Sequence, residues 1–401
     1  MPSPPPSNDQ PMPRPQISII GAGIAGLTLG RSLARHKIPY TISERDSAET
    51  ARKRHRYGIT LEPKAYGPLL DLLNLDVKTF RDRLAVDGGV GGKGSQGGNA
   101  SSSNSAMQAF RANRQKLETL LSQDLEVRYE HVLSGLTRDG KETTLTFTNG
   151  REVKSNLVIA ADGVHSPVRN LLDIKTELKT LPFAVYRGKR LLKAAEDGQA
   201  YRLLLTAVQK EGTVLQHRHG QTLLQMQIDE LTAEQADLTY IYSRPGREPQ
   251  DPLYKPARSK SDAKETPTAL FDEVAQLSGL PHIFAEIFNA DRMRKDRLLN
   301  WLMRSLPPPS AEAEMTRAAQ EKGVVLLGDS VHAMPILGSY GANAAIEDAL
   351  ALGDRIAEKG VEDIGGFYQG RVEGWRQLVE EGEARLAGMH AESSISRSSN
   401  L

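Results

Sequence analysis

Residues 16–44 constrain this chain more than any other stretch. An apolar strand (Gln16–Ile20) leads into the turn Gly21-Ala22-Gly23-Ile24-Ala25-Gly26, then a helix (about Ile24–His36) and a second strand (Pro39–Ser43). This β-α-β order predicts a parallel sheet. Gly21 permits the tight turn, Gly23 lets the backbone approach a pyrophosphate, and Gly26 allows the helix to pack closely on the sheet. The diphosphate would sit at the positive end of the helix. Glu44, closing the second strand, stands where a carboxylate accepts hydrogen bonds from an adenosine ribose. A glycine-rich turn alone says little, but in this context it predicts dinucleotide binding.

The rest of the chain narrows the class. Its 401 residues carry 51 Lys and Arg against 50 Asp and Glu, a formal charge of +1, so no uniform field draws nucleic acid or anionic lipid. The absence of cysteine excludes disulfides, iron–sulfur clusters, thiolate zinc sites and catalytic thiols. No apolar run approaches the roughly 18 residues of a spanning helix, and residues 1–15 lack the apolar core of a signal peptide. The expectation is a soluble cytoplasmic protein with neither a nucleic-acid nor a membrane partner. The oligomeric state is left open.

Residues 1–15, with seven prolines, read as a disordered tail. The Gly/Ser/Asn stretch 87–105 reads as a flexible loop. A near match to a phosphate-binding loop around Lys93 fails because Gly94 stands where Ser or Thr should hold magnesium. From Leu181 to Tyr242 the stretches FAVYRGKRLL, YRLLLTAVQ, TLLQMQI and LTYIYS suggest antiparallel strands. Ser243–Thr268, with five prolines, reads as a connection. The expected plan is a discontinuous nucleotide-binding domain (16–180 and 295–365), an inserted sheet domain (181–294) and a C-terminal helix and tail (366–401). In that helix Val372, Trp375, Val379 and Leu386 share a face.

Two further motifs follow strands. One is Ala161-Asp162-Gly163-Val164-His165-Ser166-Pro167-Val168-Arg169, where an acid and a glycine let the chain turn sharply while presenting a carboxylate. The other is Gly328-Asp329-Ser330-Val331-His332-Ala333-Met334-Pro335, followed by Gly338, Gly341 and Asn343 and a helix from about Ala344 to Glu358. Asp329 suits sugar-like hydroxyls, and the helix start directs free N–H groups at whatever lies before it.

The three motifs, in this order with a sheet inserted between the second and third, resemble the single-component aromatic hydroxylases, the para-hydroxybenzoate hydroxylase-like group of FAD-dependent monooxygenases. The resemblance covers about residues 16–390. It implies an α/β fold: a Rossmann-like FAD-binding domain with a parallel sheet plus an inserted, mainly antiparallel substrate domain. It further implies that Gly21, Gly23, Ile24, Ala25, Gly26 and Glu44 bind the ADP half of FAD. Asp162, Gly163, Ser166 and Arg169 would lie near the pyrophosphate and serve both FAD and NADPH. Gly328 and Asp329 would hold the ribityl chain, with Pro335, Gly338, Gly341, Ala342 and Asn343 against the isoalloxazine. Arg114 is the best match to the family's phosphate-approaching arginine; Arg45 and one of Arg54 or Arg56 are secondary candidates. Ser339 and Tyr340 depart from the family pattern, which more often shows Gly and a small or acidic residue, so a side chain there would crowd the ring.

The implied reaction uses NADPH and O2 to oxygenate an aromatic or polyketide-like small molecule through a flavin C4a-hydroperoxide. A flavin oxidase or epoxidase, or a flavin-binding protein with little turnover, remains an alternative. His332, a possible proton donor, and Tyr340, which would either line the substrate pocket or block it, are the candidate catalytic residues. Tyr186, Arg187, Arg190, His217 and His219 are candidate substrate contacts. His217 and His219 share a strand face, but no third ligand accompanies them, so no metal is expected. No Gly-x-Ser-x-Gly elbow is present, which excludes a serine hydrolase. The terminal Ser399-Asn400-Leu401 only approximates a peroxisomal address.

Overall fold

Ile17–Ile20 is the central strand of a five-stranded parallel sheet in the computed structural model, which describes residues 16–95, 107–247, 250–257, 265–337 and 340–391. The order across the sheet is Val324–Leu326, Leu157–Ala160, Ile17–Ile20, Tyr40–Ser43 and Val127–Arg128. Ile17, Ile19, Leu157, Val158, Ile159, Val324, Val325 and Leu326 are all buried, as strands covered on both faces require. The strands leading into the three sequence motifs are therefore neighbours, and the motifs leave the same carboxyl edge, where open α/β sheets bind ligands.

Helices Ile24–Arg35 and Gly341–Lys359 pack against each other beside this sheet, Gly353 leaving room for Ser32. The last helix, Arg371–His390, buries Val372, Trp375, Val379 and Leu386, as its pattern anticipates. No helix among the described residues is long and apolar enough to cross a membrane.

A second, five-stranded sheet has the order Val214–His219, Thr222–Leu231, Gln235–Pro245, Phe183–Lys193 and Leu299–Asn300, its neighbours antiparallel. Its two faces differ. Tyr186, Tyr242, Leu224, Tyr240 and Met226 point into an apolar cluster with Leu204, Phe271, Phe284 and Phe288 of the covering helices. Val185 and Ile241, on the opposite face, meet Met303, Leu337 and Leu386 of the nucleotide-side layer. A two-stranded ribbon, Gly58–Leu61 with Phe110–Asn113, lies between the sheets and joins them through Gly58 N–H, which donates to Asp229 Oδ1 at 3.0 Å.

The structure corrects two readings of the chain. YRLLLTAVQ is part of a helix, Gly198–Glu211, not a strand: Ala200, Tyr201, Leu204 and Val208 are buried at helical spacing, while the run Leu203-Leu204-Leu205 hides that period. Residues 87–95 form a tight turn instead of a flexible loop. Asp87 is buried and accepts from Gly94 N–H at 2.6 Å, and the backbones of Gly94 and Arg111 pair at 2.8 Å. Glycine there serves close approach, since a Cβ at Gly94 would meet Arg111 O at 2.5 Å. The stretch 243–268 is a connection as its composition predicts, with no strand or α-helix among its described residues between Pro245 and Thr268, and Arg244 anchors its start by donating to Asp251 at 2.6 Å and to Glu273 at 2.8 Å. The tail 1–15, residues 96–105 of the Gly/Ser stretch, Gly338, Ser339 and Ser399–Leu401 lie outside the described residues.

Candidate functional site

The first turn is fitted to the second motif by backbone contact. Gly21 has φ +107°, and a Cβ there would collide with the Ala161 carbonyl oxygen. A Cβ on Gly26 would likewise strike the Gly21 carbonyl. Gly23 is different: a Cβ there meets nothing within 4 Å, so this glycine, at the start of helix Ile24–Arg35, keeps open a space no protein atom fills. Ile24 and Ala25 are buried in the first helical turn, Ala25 against Gly328 of the third motif.

Glu44 is buried at the expected place, but its acceptor sites are filled. Ala22 N–H donates to Oε2 at 2.9 Å and Asp46 N–H to Oε1 at 3.1 Å, while Arg54 reaches both oxygens at 3.0 and 3.2 Å. Arg54 thus stands where ribose hydroxyls would bind. Arg45 is exposed, its side chain outside this network.

Arg114 donates to Glu118 at 2.9 Å and to Tyr57 OH at 2.5 Å, and Glu118 also holds His55 at 2.9 Å. Asn113 caps this helix through Lys116 N–H at 3.1 Å. Asp162 accepts from Val168 N–H at 3.2 Å through Oδ2, while its buried Oδ1 has no partner among the described residues. Gly163 has φ +84° and open space around it. Arg169 joins the second and third motifs, donating to Ser330 O at 2.6 Å and Val164 O at 2.8 Å.

Asp329 lies deep in the protein, yet its side chain is solvent-accessible, which places it on the wall of an interior space. Burial raises its carboxyl pKa, with His332 and Arg114 opposing. Its Oδ1 lies 3.7 Å from where a Cβ on Gly341 would stand, at the start of helix Gly341–Lys359. Gly341 and Ala342 are partly accessible there. Asn343 is buried and pins this helix start to the ribbon, accepting from Glu62 N–H at 2.9 Å and donating to Thr60 O at 3.0 Å. Pro335 is buried against Gly382 of the last helix.

His332 does not face Asp329's space as a proton donor would. It is fully buried, its Nε2 2.7 Å from Asp348 Oδ2 and its ring stacked on Trp375 at 4.7 Å. Asp348, which the sequence reading missed, is a hub: it also accepts from Gly328 N–H at 3.1 Å and Trp375 Nε1 at 2.9 Å, with Arg371 at 3.4 Å. An aspartate one helical face away from a glycine motif carries no sequence signal of this kind. Tyr340 packs toward the last helix, its ring 5.9 Å from the Arg385 guanidinium.

The four leading substrate candidates fall on the helix-covered face of the second sheet. Tyr186, Tyr242, Leu224 and His217 form one cross-strand row. Tyr186 OH donates to Leu253 O at 3.2 Å, Arg190 binds Asp296 and Ile287 O, and His217 lies 5.5 Å from the Phe284 ring. His219 is exposed at the strand end. Strand alternation puts Arg187, one residue from Tyr186, on the opposite face.

Burial alone would raise the carboxyls of Glu44, Glu118 and Asp348, but Arg54, the His55–Arg114 pair, and His332 with Trp375 outweigh it and hold all three below their ordinary values. A depressed carboxyl contributes stability above its unfolded value, 4.5 for Glu and 3.8 for Asp, and loses it as pH falls through the folded value. The melting temperature is therefore expected to hold above about pH 5 and fall below it. Glu118→Gln should flatten that fall; an unchanged acid slope would contradict the assignment.

The comparisons with known proteins agree with this geometry. Residues 14–362 match the model of the FAD binding domain family. The FAD-dependent monooxygenase adaC of Aspergillus niger is 32% identical over 398 residues, covering 94% of each chain. The FAD-dependent monooxygenase aptC of Emericella nidulans is 31% identical over 363 residues, covering 84% of each. Among solved structures, Klebsiella pneumoniae HpxO, crystallised with FAD and uric acid, superposes with a TM-score of 0.65 at 17% identity, covering 94% of this chain and 89% of that one. With three motif loops meeting at one sheet edge and relatives matched along nearly the whole length, the chain belongs to the FAD-dependent monooxygenases of the para-hydroxybenzoate hydroxylase-like family.

Proposed function

We propose that this enzyme uses NADPH and O2 to insert one oxygen atom into an aromatic or polyketide-like small molecule in the cytoplasm, with residues 16–180 and 295–365 holding FAD and 181–294 facing the substrate. The observation that carries this reading is the convergence of Gly23's open space, the unpartnered Asp162 oxygen and the accessible Asp329 at the carboxyl ends of three adjacent strands. These residues fit a flavin dinucleotide from end to end. Bound FAD supplies hydride acceptance and oxygen activation.

The chain's own residues divide the remaining work. The N-terminus of helix Ile24–Arg35 holds the diphosphate, approached closely because Gly23 has no side chain. Glu44 and Arg54 would border the adenosine ribose, and Arg45 and Arg54 are the cations that would face the phosphates from this side. Asp162 and Gly163 border the pyrophosphate, and Asp329 accepts from the ribityl hydroxyls. The N-terminus of helix Gly341–Lys359 would favour negative charge on a flavin ring held before it. His332 is a positioning residue here: it braces Asp348, which holds the Gly328 turn. The apolar contact of Val185, Ile241 and Leu337 excludes water.

The purified protein is expected to be yellow, or to become so with FAD, and to oxidise NADPH faster when a polycyclic phenol is present, giving a product one oxygen heavier. NADPH loss matched entirely by hydrogen peroxide across a panel of such phenols would overturn oxygen insertion. A colourless protein that takes up no FAD would overturn the whole reading.

A further inference from the structure

Residues 54–60 run along the cleft between two fixed ends. At one end Arg54 reaches both oxygens of Glu44, at 3.0 and 3.2 Å; at the other Asn343, in the first turn of helix Gly341–Lys359, donates to Thr60 O at 3.0 Å. Tyr57 stands midway, immediately before the ribbon strand Gly58–Leu61. Neither the three motifs nor the cofactor contacts named above give it a role.

Tyr57 is held from several sides. Its backbone carbonyl accepts from Arg114 N–H at 3.0 Å, and its hydroxyl oxygen accepts from Arg114 Nη1 at 2.5 Å. The Arg114 guanidinium lies 5.5 Å from the centre of its ring, and the His55 ring meets it edge-on at 5.9 Å. Both neighbours are tied to the same carboxylate, since Glu118 accepts from Arg114 Nε at 2.9 Å and holds His55 Nδ1 at 2.9 Å. A side chain fixed in this way has already lost the rotamer freedom that binding would otherwise remove.

The hydroxyl is only half committed. A tyrosine oxygen both accepts and donates. Here Arg114 fills the accepting side, and no described residue takes the hydrogen. Donation from a cation polarises the O–H group and strengthens its own donation in turn. Tyr57 is partly accessible, so this donor faces the open cleft. Its surroundings say which part of the cleft. Arg114 interacts electrostatically with Asp329, on the wall of the interior space, and the Tyr57 oxygen interacts with Arg111 and with Arg187 of the second sheet. The oxygen therefore lies between the acid assigned to the ribityl chain and the sheet assigned to the substrate, which is the flavin half of the cleft and not the adenosine half.

We propose that Tyr57 is a positioning residue for the flavin half of FAD, its hydroxyl donating a hydrogen bond to an acceptor atom of the ribityl chain or the ring. This rests on the proposed function for the identity of the dinucleotide. Because Arg114 already occupies the oxygen, the bond runs one way only: the atom that Tyr57 meets must accept.

The test compares FAD with ADP, which carries the adenosine and diphosphate without ribityl chain or ring, on the wild type and on Tyr57→Phe. The variant keeps an aromatic ring between Arg114 and His55 and removes only the hydroxyl, so the apoprotein should melt with the wild type. FAD should bind about threefold to tenfold more weakly, the worth of one hydrogen bond, while ADP binds both proteins equally. The emission of bound FAD should rise, because a phenol beside a flavin quenches it by electron donation and a phenyl ring does not. Tyr57→Leu should show at least the same loss for FAD, and supplies the comparison where Tyr57→Phe does not fold. Unchanged FAD affinity or unchanged emission in a folded variant overturns the proposal. Equal weakening of FAD and ADP also overturns it, since that moves the contact to the diphosphate. A wild type that takes up no FAD removes the proposed function and this inference with it, whereas a wild type that takes up FAD no better than its variants removes this inference alone.

Discussion

Asp348→Ala is expected to cost about 3–5 kcal/mol of stability, because it strands a buried histidine, an indole N–H and the Gly328 N–H at one stroke. For a chain of this size that is a drop of roughly 4–6 °C in melting temperature. The same loss should appear in cofactor retention, since Gly328 carries Asp329 into the interior space. Asp348→Asn keeps the shape and one acceptor, so it should recover part of the stability. An Ala variant that melts with the wild type would show that Asp348 is not the brace described here.

The second large effect separates folding from binding within one turn. Gly21→Ala forces a side chain into φ +107° and onto the Ala161 carbonyl, so it should destabilise the protein by about 3 kcal/mol or more with or without FAD. Gly23→Ala meets no protein atom within 4 Å, so the apoprotein should melt within about 1 kcal/mol of wild type. Its FAD affinity should nevertheless fall by about tenfold or more, because the added methyl occupies the space left for the diphosphate. FAD titration of both variants, alongside apoprotein melting curves, checks the pair. Gly23→Ala with unchanged affinity would move the diphosphate elsewhere.

The difference between these glycines also shows what the amino-acid order discloses. The β-α-β unit, the motif turns and the buried face of the last helix were legible because each rests on local geometry: a turn that needs glycine, a strand that must be apolar on both sides, a helix period of 3.6. The substrate face was not. Tyr186 and Arg187 are adjacent, and strand alternation sends one to the helices and the other toward the ribbon; which goes where depends on packing partners distant in sequence. His332 and Asp348 were misjudged and missed for the same reason. Their pairing is fixed by Trp375, on a helix that docks only in the finished fold. The glycine-rich stretch after Asp87 looked mobile because composition does not distinguish glycine that confers freedom from glycine that allows close approach.

The dependence of the Gly328 turn on Asp348, and of Asp348 on Trp375, has a consequence for how the molecule is made. Synthesis runs from the amino end, so the nucleotide-side sheet must wait for its edge strand, and the edge strand's turn must wait for a brace near the carboxyl terminus. A nascent chain released short of Trp375 would hold all three glycine motifs and still lack a finished cleft. Flavin capture is thus expected only once the segment that carries Trp375 has docked on Asp348.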